Sequence, residues 1–352
     1  MMKMSSEIID GIGKNVDRLV TVDFSGRGVI SRLHEALTQR QKKPGALLAA
    51  ERLLEAVKPD DFVIITAGML INPWYELGET DGPVGAAALA RALQVGLGAK
   101  PVLVTDKAQV DLMKAACRGA NLNFLSLERV KETKLSAAVI DFPMDQDNAM
   151  EEAKGVFSDI SPKAIIAIER RGPNEKGVYH SLLGYDMTRF DAKVGVLFEE
   201  AERRRLLTIG IGDGGNEIGL AMIKDSVKQI IPTAVKCRCP CEASVVPNIF
   251  TDLTIVATVS NWGAYAISAC LSAILKKPDV LHDKNIELRI VRACVDAGAI
   301  DGVFYTPTPY VDGMPAELGA SIVEQLREIV KGGLQGPLLA RKDYVAYARS
   351  LA

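Results

Sequence analysis

The sequence predicts an α/β protein with a mostly parallel sheet, helices on both faces, and two lobes with a cleft between them. Short runs rich in Val and Ile alternate with helical patterns, as in parallel βαβ units. A chain of 352 residues with 48% hydrophobic and 24% charged residues can bury a core without disulfides or a structural metal. We expect a domain boundary near Gln146, which gives domains 1–145 and 146–352.

Seven short apolar segments predict strands, because continuous apolar runs are typical of parallel strands buried on both faces. The predicted strands are 62–66, 101–105, 121–125, 137–140, 164–168, 206–211 and 253–258. Upstream of them, Pro44 and Gly45 interrupt a helical pattern over 29–58 and predict two helices. The other predicted helices are 83–97, 109–118, 147–157, 193–205, 263–275, 284–295, 316–330 and 343–351.

Charge and composition limit the partners that we expect. Lys and Arg total 42 and Asp and Glu total 44, which gives a net charge of −2 and no basic excess to neutralise nucleic-acid phosphates. No long apolar run predicts a membrane span, and the first residues show no signal peptide, so we expect a cytoplasmic protein. The expected partner is a small-molecule substrate, with no nucleic acid and no membrane; assembly into a homo-oligomer stays open.

Four polar loops follow predicted strands, where ligands bind in open α/β sheets. The first, Gly-Glu-Thr-Asp-Gly-Pro at 78–83, carries Glu79 and Asp81 just before a helix. Acidic residues there can bind a cation, or they can cap the helix. The fourth, Val-Ser-Asn-Trp-Gly at 259–263, offers Ser260 and Asn261, which suit both helix capping and substrate contact.

The second loop begins with Glu169-Arg170-Arg171 and continues through Asn174 to His180. A glutamate beside an arginine places a potential proton acceptor next to a group that can hold a carboxylate. A surface ion pair is the alternative for the arginines, above all for Arg171. A structural role is the alternative for the histidine.

The third loop, Gly-Ile-Gly-Asp-Gly-Gly-Asn-Glu-Ile-Gly at 210–219, is the most specific. Its glycines allow successive N–H groups to form an anion-binding nest, and Asp213 and Glu217 are oxygen ligands suited to Mg²⁺ or Mn²⁺. The acids and the missing Lys-Ser/Thr ending distinguish it from dinucleotide and P-loop motifs, so we expect no nucleotide cofactor. Cys237, Cys239 and Cys241 form a tight group that can bind a soft metal, although their spacing is not that of common zinc sites.

In this order, the loops resemble the C-terminal domain of the D-glutamate cyclase family. The matching segments are Gly-Glu-Thr-Asp-Gly-Pro at 78–83, Ala-Ile-Glu-Arg at 167–170, Gly-Val-Tyr-His at 177–180, Thr-Ile-Gly-Ile-Gly-Asp-Gly-Gly-Asn-Glu-Ile-Gly at 208–219, Val-Ser-Asn-Trp-Gly at 259–263 and Val-Asp-Gly at 311–313. The resemblance covers roughly 50–330 and departs mainly at 228–248, which contains the three cysteines. It implies cyclisation of D-glutamate to 5-oxo-D-proline with loss of water.

For that reaction we assign Glu169 as the base and His180 as the acid for the departing hydroxide. A divalent cation, Mg²⁺ or Mn²⁺, would polarise the γ-carboxyl group, and it would relieve the repulsion among neighbouring acids. The expected cation ligands are Glu79, Asp81, Asp213 and Glu217. The expected substrate contacts are Arg170, Asn174, Gly214, Gly215, Asn216, Ser260 and Asn261.

Two other functions stay open at this point. A metal-dependent phosphatase acting on a small phosphorylated metabolite would use the same acids and arginine. A non-catalytic binding module for a small molecule would need only the glycine-rich nest and a carboxylate clamp.

Overall fold

The computed structural model describes residues 6–71, 75–335 and 349–350. Seven strands form one sheet in the order β3-β4-β2-β1-β5-β6-β7, and every neighbouring pair is parallel. The strands are β1 Phe62–Ala67, β2 Lys100–Thr105, β3 Asn123–Leu125, β4 Ser136–Asp141, β5 Ala164–Ile168, β6 Leu207–Gly212 and β7 Leu253–Val256. A separate antiparallel pair joins β8 Tyr310–Val311 to β9 Met314–Pro315.

Helices cover both faces of this sheet. They are α1 Ser6–Val20, α2 Val29–Gln41, α3 Gly45–Ala56, α4 Pro83–Leu97, α5 Val110–Gly119, α6 Leu127–Val130, α7 Gln146–Ile160, α8 Gly195–Arg203, α9 Lys224–Ile230, α10 Pro232–Val235, α11 Ser260–Leu275, α12 Lys284–Asp296 and α13 Ala316–Gln335. Successive side chains of β1 show the two faces: Val63 and Ile65 pack in the core with α4 and α11, and Ile64 packs in the core with α7 and α8. Burial on both faces explains why the strands are apolar throughout.

The predicted parallel sheet with helices on both faces is confirmed, and every predicted strand is present. Several boundaries differ by a few residues. Asn121, with φ of 62°, belongs to a turn rather than to β3, and α11 begins at Ser260, three residues earlier than predicted. Helix α1 was not predicted. Of the helix predicted at 343–351, only 349–350 lie within the described residues.

The two predicted domains share this sheet. The expected boundary near Gln146 falls between β4 and α7, yet β1 from one side of it pairs with β5 from the other. The division into two lobes therefore stays a prediction. Within the described ranges, no helix combines the length and the apolar character needed to cross a membrane.

The strand order creates a crevice between β1 and β5. From β1 the chain builds the sheet outwards through β2, β3 and β4 on one side, and then returns to build β5, β6 and β7 on the other. From the C-terminal end of β1 the chain therefore continues towards one edge of the sheet, and from the C-terminal end of β5 it continues towards the other edge. Such a switch point is where open α/β sheets bind ligands.

Helices α4 and α11 cap each other next to this crevice. The Asp81 carboxylate, just before α4, accepts hydrogen bonds from the backbone N–H groups of Ser260 (2.9 Å) and Asn261 (2.8 Å). In return, Asn261 Oδ1 accepts from the backbone N–H groups of Gly82 (2.9 Å) and Gly85 (2.6 Å). The exchange satisfies donors at both helix N-termini that would otherwise be buried without partners. It joins the first and fourth polar loops.

Replacing Asn261 by alanine should destabilise the protein by about 1–3 kcal/mol, because the buried Gly85 N–H loses its acceptor and the Gly82 N–H keeps only Asp81 Oδ1. Urea unfolding of the variant and the wild type measures the difference. The matched control, Asn148→Ala, removes an exposed asparagine side chain at the start of α7 and should change the free energy of unfolding by less than about 0.5 kcal/mol. Equal losses of unfolding free energy in the two variants would show that the mutual capping of α4 and α11 makes no specific contribution to stability.

Candidate active site

Three carboxylates from distant parts of the chain meet beyond the C-terminal ends of β1, β5 and β6. Asp81 lies between β1 and α4, Glu169 directly follows β5, and Asp213 directly follows β6. One carboxylate oxygen of each lies within 4.8 Å of the corresponding oxygens of the other two. We call Asp81, Glu169 and Asp213 the acidic triad. The structure thus brings together the first three polar loops, as the sequence predicts for loops at one edge of a parallel sheet.

The backbone at Glu169 directs its side chain towards the other two acids. Its φ of 46° lies in the left-handed region, which non-glycine residues seldom adopt and which is concentrated at functional sites. The Ser260 hydroxyl donates a 2.6 Å hydrogen bond to Glu169 Oε2. Ser260, expected as a substrate contact or helix cap, therefore orients this glutamate from the N-terminus of α11.

The charges of the triad are unfavourable when no cation or proton offsets them. Burial raises the pKa of Asp81, Glu169 and Asp213 well above the usual range, and neighbouring carboxylates, including Asp312 and Glu217, raise it further. Carboxylate oxygens are the ligands that Mg²⁺ and Mn²⁺ prefer. A divalent cation would therefore both suit these donors and remove their repulsion.

Asp312 completes the site, although its sequence signal is weak. It follows β8 in a turn with φ of 51°, and its carboxyl lies close enough to those of Asp81 and Asp213 to raise the pKa of both. Burial raises its pKa above the ordinary value. The short Val-Asp-Gly segment at 311–313 was the only signal for it in the sequence. Asp213 and Asp312 are half-buried, whereas Asp81 and Glu169 are buried.

Glu79 lies beside the acidic triad, and Glu217 holds a loop next to it. Among the described residues, the tightest carboxylate group does not include Glu79, whose carboxyl lies near those of Asp312 and Asp301. Burial, followed by the charge of Asp312, raises the pKa of Glu79 well above its usual range. Glu79 is therefore not among the cation ligands that the structure favours most, contrary to the expectation from sequence.

The glycine-rich nest is filled by a side chain of its own loop. Glu217 Oε1 accepts a 2.9 Å hydrogen bond from the Gly214 N–H, and Glu217 Oε2 accepts a 2.7 Å hydrogen bond from the Gly215 N–H. Glu217 lies outside the tightest carboxylate group of the described residues, and both of its oxygens hold the nest, so the structure favours an anchoring role in this loop over the expected role of cation ligand. For the same reason, Gly214 and Gly215 do not offer these N–H groups to a substrate carboxylate.

Arg170 does not point its donors at a substrate. Its side chain is 1% exposed, donates through Nη2 to Asp106 Oδ1 at 2.9 Å, and contacts Asp106 Oδ2 through Nη1. It also donates to the Gly68 carbonyl at 2.7 Å. The expected carboxylate clamp is therefore replaced by a buried bidentate ion pair that joins the β5 loop to those of β1 and β2. Asp106 gave no sequence signal, because an arginine's partner cannot be chosen from 44 acidic residues.

Arg171 is also buried, contrary to the surface ion pair that was the alternative for it. Nη1 donates to Asp191 Oδ1 at 2.6 Å, and Nη2 donates to the Leu70 carbonyl at 2.6 Å. The Arg171 charge lies close enough to lower the pKa of Glu79, against the stronger effect of burial. This second buried pair fixes the other side of the same loop.

His180 lies with the cysteines rather than with the acidic triad. Its Nε2 is 3.3 Å from Cys239 Sγ and 3.4 Å from Cys241 Sγ. The histidine is therefore not placed to protonate a group held by the triad, and its expected role as the acid is corrected. The sequence could not show this, because the cysteines lie about sixty residues downstream.

The two expected asparagine contacts also support this part of the chain. Asn174 Nδ2 donates to the Ser244 carbonyl at 2.8 Å, and Asn216 Nδ2 donates to the His180 carbonyl at 3.0 Å. Asn261 is engaged in the helix capping described above. These three asparagines hold loops together, whereas their expected substrate contacts stay a prediction.

Two comparisons with known proteins identify the family of this chain. The chain is 29% identical over 269 residues to a human protein named "D-glutamate cyclase, mitochondrial", a match that covers 73% of this chain and 38% of the human protein. The chain thus corresponds to well under half of that relative's length. A model of the family described as D-glutamate cyclase-like, C-terminal, matches residues 16–327. Because this match includes most of the chain and every member of the acidic triad, the protein belongs to the D-glutamate cyclase-like family.

Proposed function

We propose that this protein cyclises D-glutamate to 5-oxo-D-proline with loss of water, assisted by a divalent cation, Mg²⁺ or Mn²⁺, at the acidic triad. The observation that carries the proposal is the convergence of three carboxylates, two buried and one half-buried, at the switch point of a sheet. The name of the human relative supplies the substrate. A bound cation would polarise the γ-carboxyl group and make its carbon a better electrophile.

Two protons must leave the substrate nitrogen, and two must reach the departing oxygen. The α-amino group enters as an ammonium ion and ends as an amide N–H, while one γ-carboxylate oxygen leaves as water. The protein therefore needs a base near the nitrogen and an acid near the oxygen, both with pKa values near the operating pH. Because net proton uptake is zero, the protons that the base takes from the nitrogen must be passed on, directly or through the acid, to the oxygen that leaves as water.

Glu169 is the proposed base. Burial raises its pKa well above the usual range, which makes its carboxylate a stronger proton acceptor than an exposed glutamate. Ser260 holds one oxygen, and the other can face the substrate nitrogen. Asp312 is the proposed acid, in place of His180, because it is half-buried at the same site and its raised pKa favours the protonated form.

The fold contributes orientation to the proposed reaction. The buried pairs of Arg170 with Asp106 and of Arg171 with Asp191 fix the loop that begins at Glu169. Correct placement of two reacting ends of one molecule can account for roughly 7–11 kcal/mol of a barrier. We therefore assign the arginines to positioning rather than to substrate binding.

Glu169→Gln should lower kcat by about 10²–10⁴-fold, the usual contribution of a general base. Formation of 5-oxo-D-proline from D-glutamate measures turnover, and elemental analysis measures bound Mn²⁺. Because Glu169 also lies within reach of the ion, retained metal with lost turnover identifies a base, and loss of both identifies a ligand. The exposed Glu202 provides the matched control, Glu202→Gln. Wild-type turnover in Glu169→Gln would eliminate both roles. Hydrolysis of phosphate esters by the wild type without cyclisation of D-glutamate would instead contradict the proposed reaction.

Asp213→Asn should weaken Mn²⁺ binding by about 100-fold, because an amide oxygen replaces a charged oxygen in a site of few ligands. Isothermal titration with Mn²⁺ gives the dissociation constant for the variant, for the wild type and for Asp225→Asn, which changes an exposed aspartate in α9. An unchanged constant in Asp213→Asn would remove this residue from the cation site.

The raised pKa values of the triad predict that, without a bound cation, stability falls as the pH rises. Unfolding returns each carboxyl to its lower ordinary pKa, so the folded state binds more protons between the two values, and the free energy of unfolding decreases across that interval. Asp213→Asn removes one repelling charge. In protein dialysed free of Mg²⁺ and Mn²⁺, it should be more stable than the wild type at about pH 8 by roughly 1–2 kcal/mol.

Urea unfolding at about pH 5 and about pH 8 measures this difference, which should be larger at the higher pH because the triad is then more ionised. Added Mn²⁺ should stabilise the wild type more than the variant. A difference that is the same at both pH values would contradict the electrostatic explanation.

A further inference from the structure

A second group of metal-binding side chains is built from the segment between α10 and β7. Cys237 Sγ lies 3.4 Å from Cys239 Sγ and 3.4 Å from Cys241 Sγ. His180, from the loop after β5, places Nε2 3.3 Å from Cys239 Sγ and 3.4 Å from Cys241 Sγ. The four atoms all lie within 4.8 Å of one another. We call these residues the Cys₃His cluster.

The spacing of these atoms is close to that of a four-coordinate zinc site. With Zn–S bonds of about 2.3 Å and Zn–N bonds of about 2.0 Å in a tetrahedron, two sulfurs lie ~3.8 Å apart, and a nitrogen lies ~3.5 Å from a sulfur. The observed distances of 3.3–3.4 Å need to expand by only a few tenths of an ångström. Three sulfurs and an imidazole are also the ligand chemistry that selects Zn²⁺ over Mg²⁺ or Mn²⁺.

The backbone forms a closed loop that turns the three sulfurs inwards. The Cys237 N–H donates to the Ala243 carbonyl at 2.8 Å, and the Glu242 N–H donates to the Cys239 carbonyl at 3.1 Å. Because the chain doubles back, the sulfurs of cysteines two residues apart can converge. In an extended chain they would lie too far apart. The doubling back explains how a Cys-x-Cys-x-Cys segment can serve a site for which the usual ligand spacing is longer.

The cluster joins two long segments that have little regular structure of their own. One runs over 169–194 and the other over 236–252, and loops of this length without secondary structure are uncommon in compact domains. Hydrogen bonds link them near the cluster: Lys176 Nζ donates to the Cys241 carbonyl at 2.9 Å, and the Arg238 N–H donates to the Gly184 carbonyl at 2.9 Å. A metal shared by both segments would fix them with strong bonds where helices and strands are lacking.

Neither apolar packing nor a disulfide accounts for all four side chains. Cys237 is 5% exposed and packs against apolar neighbours, but packing alone gives no reason for a histidine nitrogen to contact two sulfurs. The cysteines are free thiols in the structure, with sulfurs too far apart for a disulfide bond. Shared coordination of one ion explains both the imidazole and the thiols.

We propose that His180, Cys237, Cys239 and Cys241 bind one Zn²⁺ in a structural site that is closed to substrate by its four protein ligands. The ion clamps the loop after β5 to the segment before β7. Because Asn216 Nδ2 donates to the His180 carbonyl, the ion also helps to position the glycine-rich loop that carries Asp213. The proposal is independent of the substrate assigned to the acidic triad.

Elemental analysis of the full chain tests the site, after purification without chelators and removal of any affinity tag. The wild type should contain about one zinc per chain. Cys239→Ser and His180→Gln should each lower the zinc content to roughly a tenth or less. The matched control, Cys270→Ala, removes a buried thiol of α11 that lies outside the cluster, and it should keep the wild-type zinc content. Full zinc content in both ligand variants would overturn the proposal.

Measurements on the wild type keep the test decisive if the ligand variants fail to fold. An organomercurial that modifies thiols should release zinc in step with the reaction of three cysteines, and Co²⁺ in place of Zn²⁺ should give thiolate charge-transfer absorption. A native wild type that holds no zinc, or in which two of the three cysteines are joined by a disulfide, would also overturn the proposal. Asp213→Asn should keep its zinc while losing Mn²⁺ affinity, so failure at one site is distinguishable from failure at the other.

Discussion

The mutual repulsion of carboxylates held together out of water is the constraint on which the rest of this structure depends. Asp81, Glu169 and Asp213 come from loops after three different strands, and nothing local in the chain draws them together. Burial of one isolated charge already costs several kcal/mol, and neighbouring charges of the same sign add to that cost. A protein can keep such a group only if the surrounding structure fixes the loops more strongly than the acids repel one another, or if a cation offsets the charge. The arrangement found here is consistent with both.

The restraints on the loops are polar and mutual. Asp81 caps α11 while Asn261 caps α4, so neither loop can move without uncovering buried N–H groups at a helix N-terminus. Arg170 binds Asp106 and the Gly68 carbonyl, which connects the ends of β5, β2 and β1. Breaking a buried ion pair on one side only costs about 3–5 kcal/mol, because the remaining charge has no partner. These contacts use side chains that look in the sequence like substrate ligands, and they hold the loops that carry the acidic triad in place.

Patterns that act locally made the fold and part of the site predictable from sequence. Apolar runs identify the strands because burial on both faces leaves them no polar positions, and the carboxyl-end rule for parallel sheets then brings Asp81, Glu169 and Asp213 to one edge. Partners distant in sequence were not predictable. Arg170 could pair with any acid, and Glu217 turned out to bind the N–H groups of its own loop. The sequence neighbours of His180 suggested a catalytic role, whereas its neighbours in space are cysteines about sixty residues away.

The loop after β5 carries two kinds of ligand chemistry, and their separation along it has a physical consequence. Glu169 at its start offers a hard oxygen to the acidic triad, and His180 further along offers a nitrogen to the sulfurs of the Cys₃His cluster. Mg²⁺ and Mn²⁺ favour oxygen, and Zn²⁺ favours sulfur and nitrogen, so under the two proposals each group would select its own ion with little competition from the other. A closed zinc site exchanges its metal slowly and can hold a loop permanently, while a site with few protein ligands leaves positions open for substrate. One loop can in this way be anchored at its middle and remain reactive at its start.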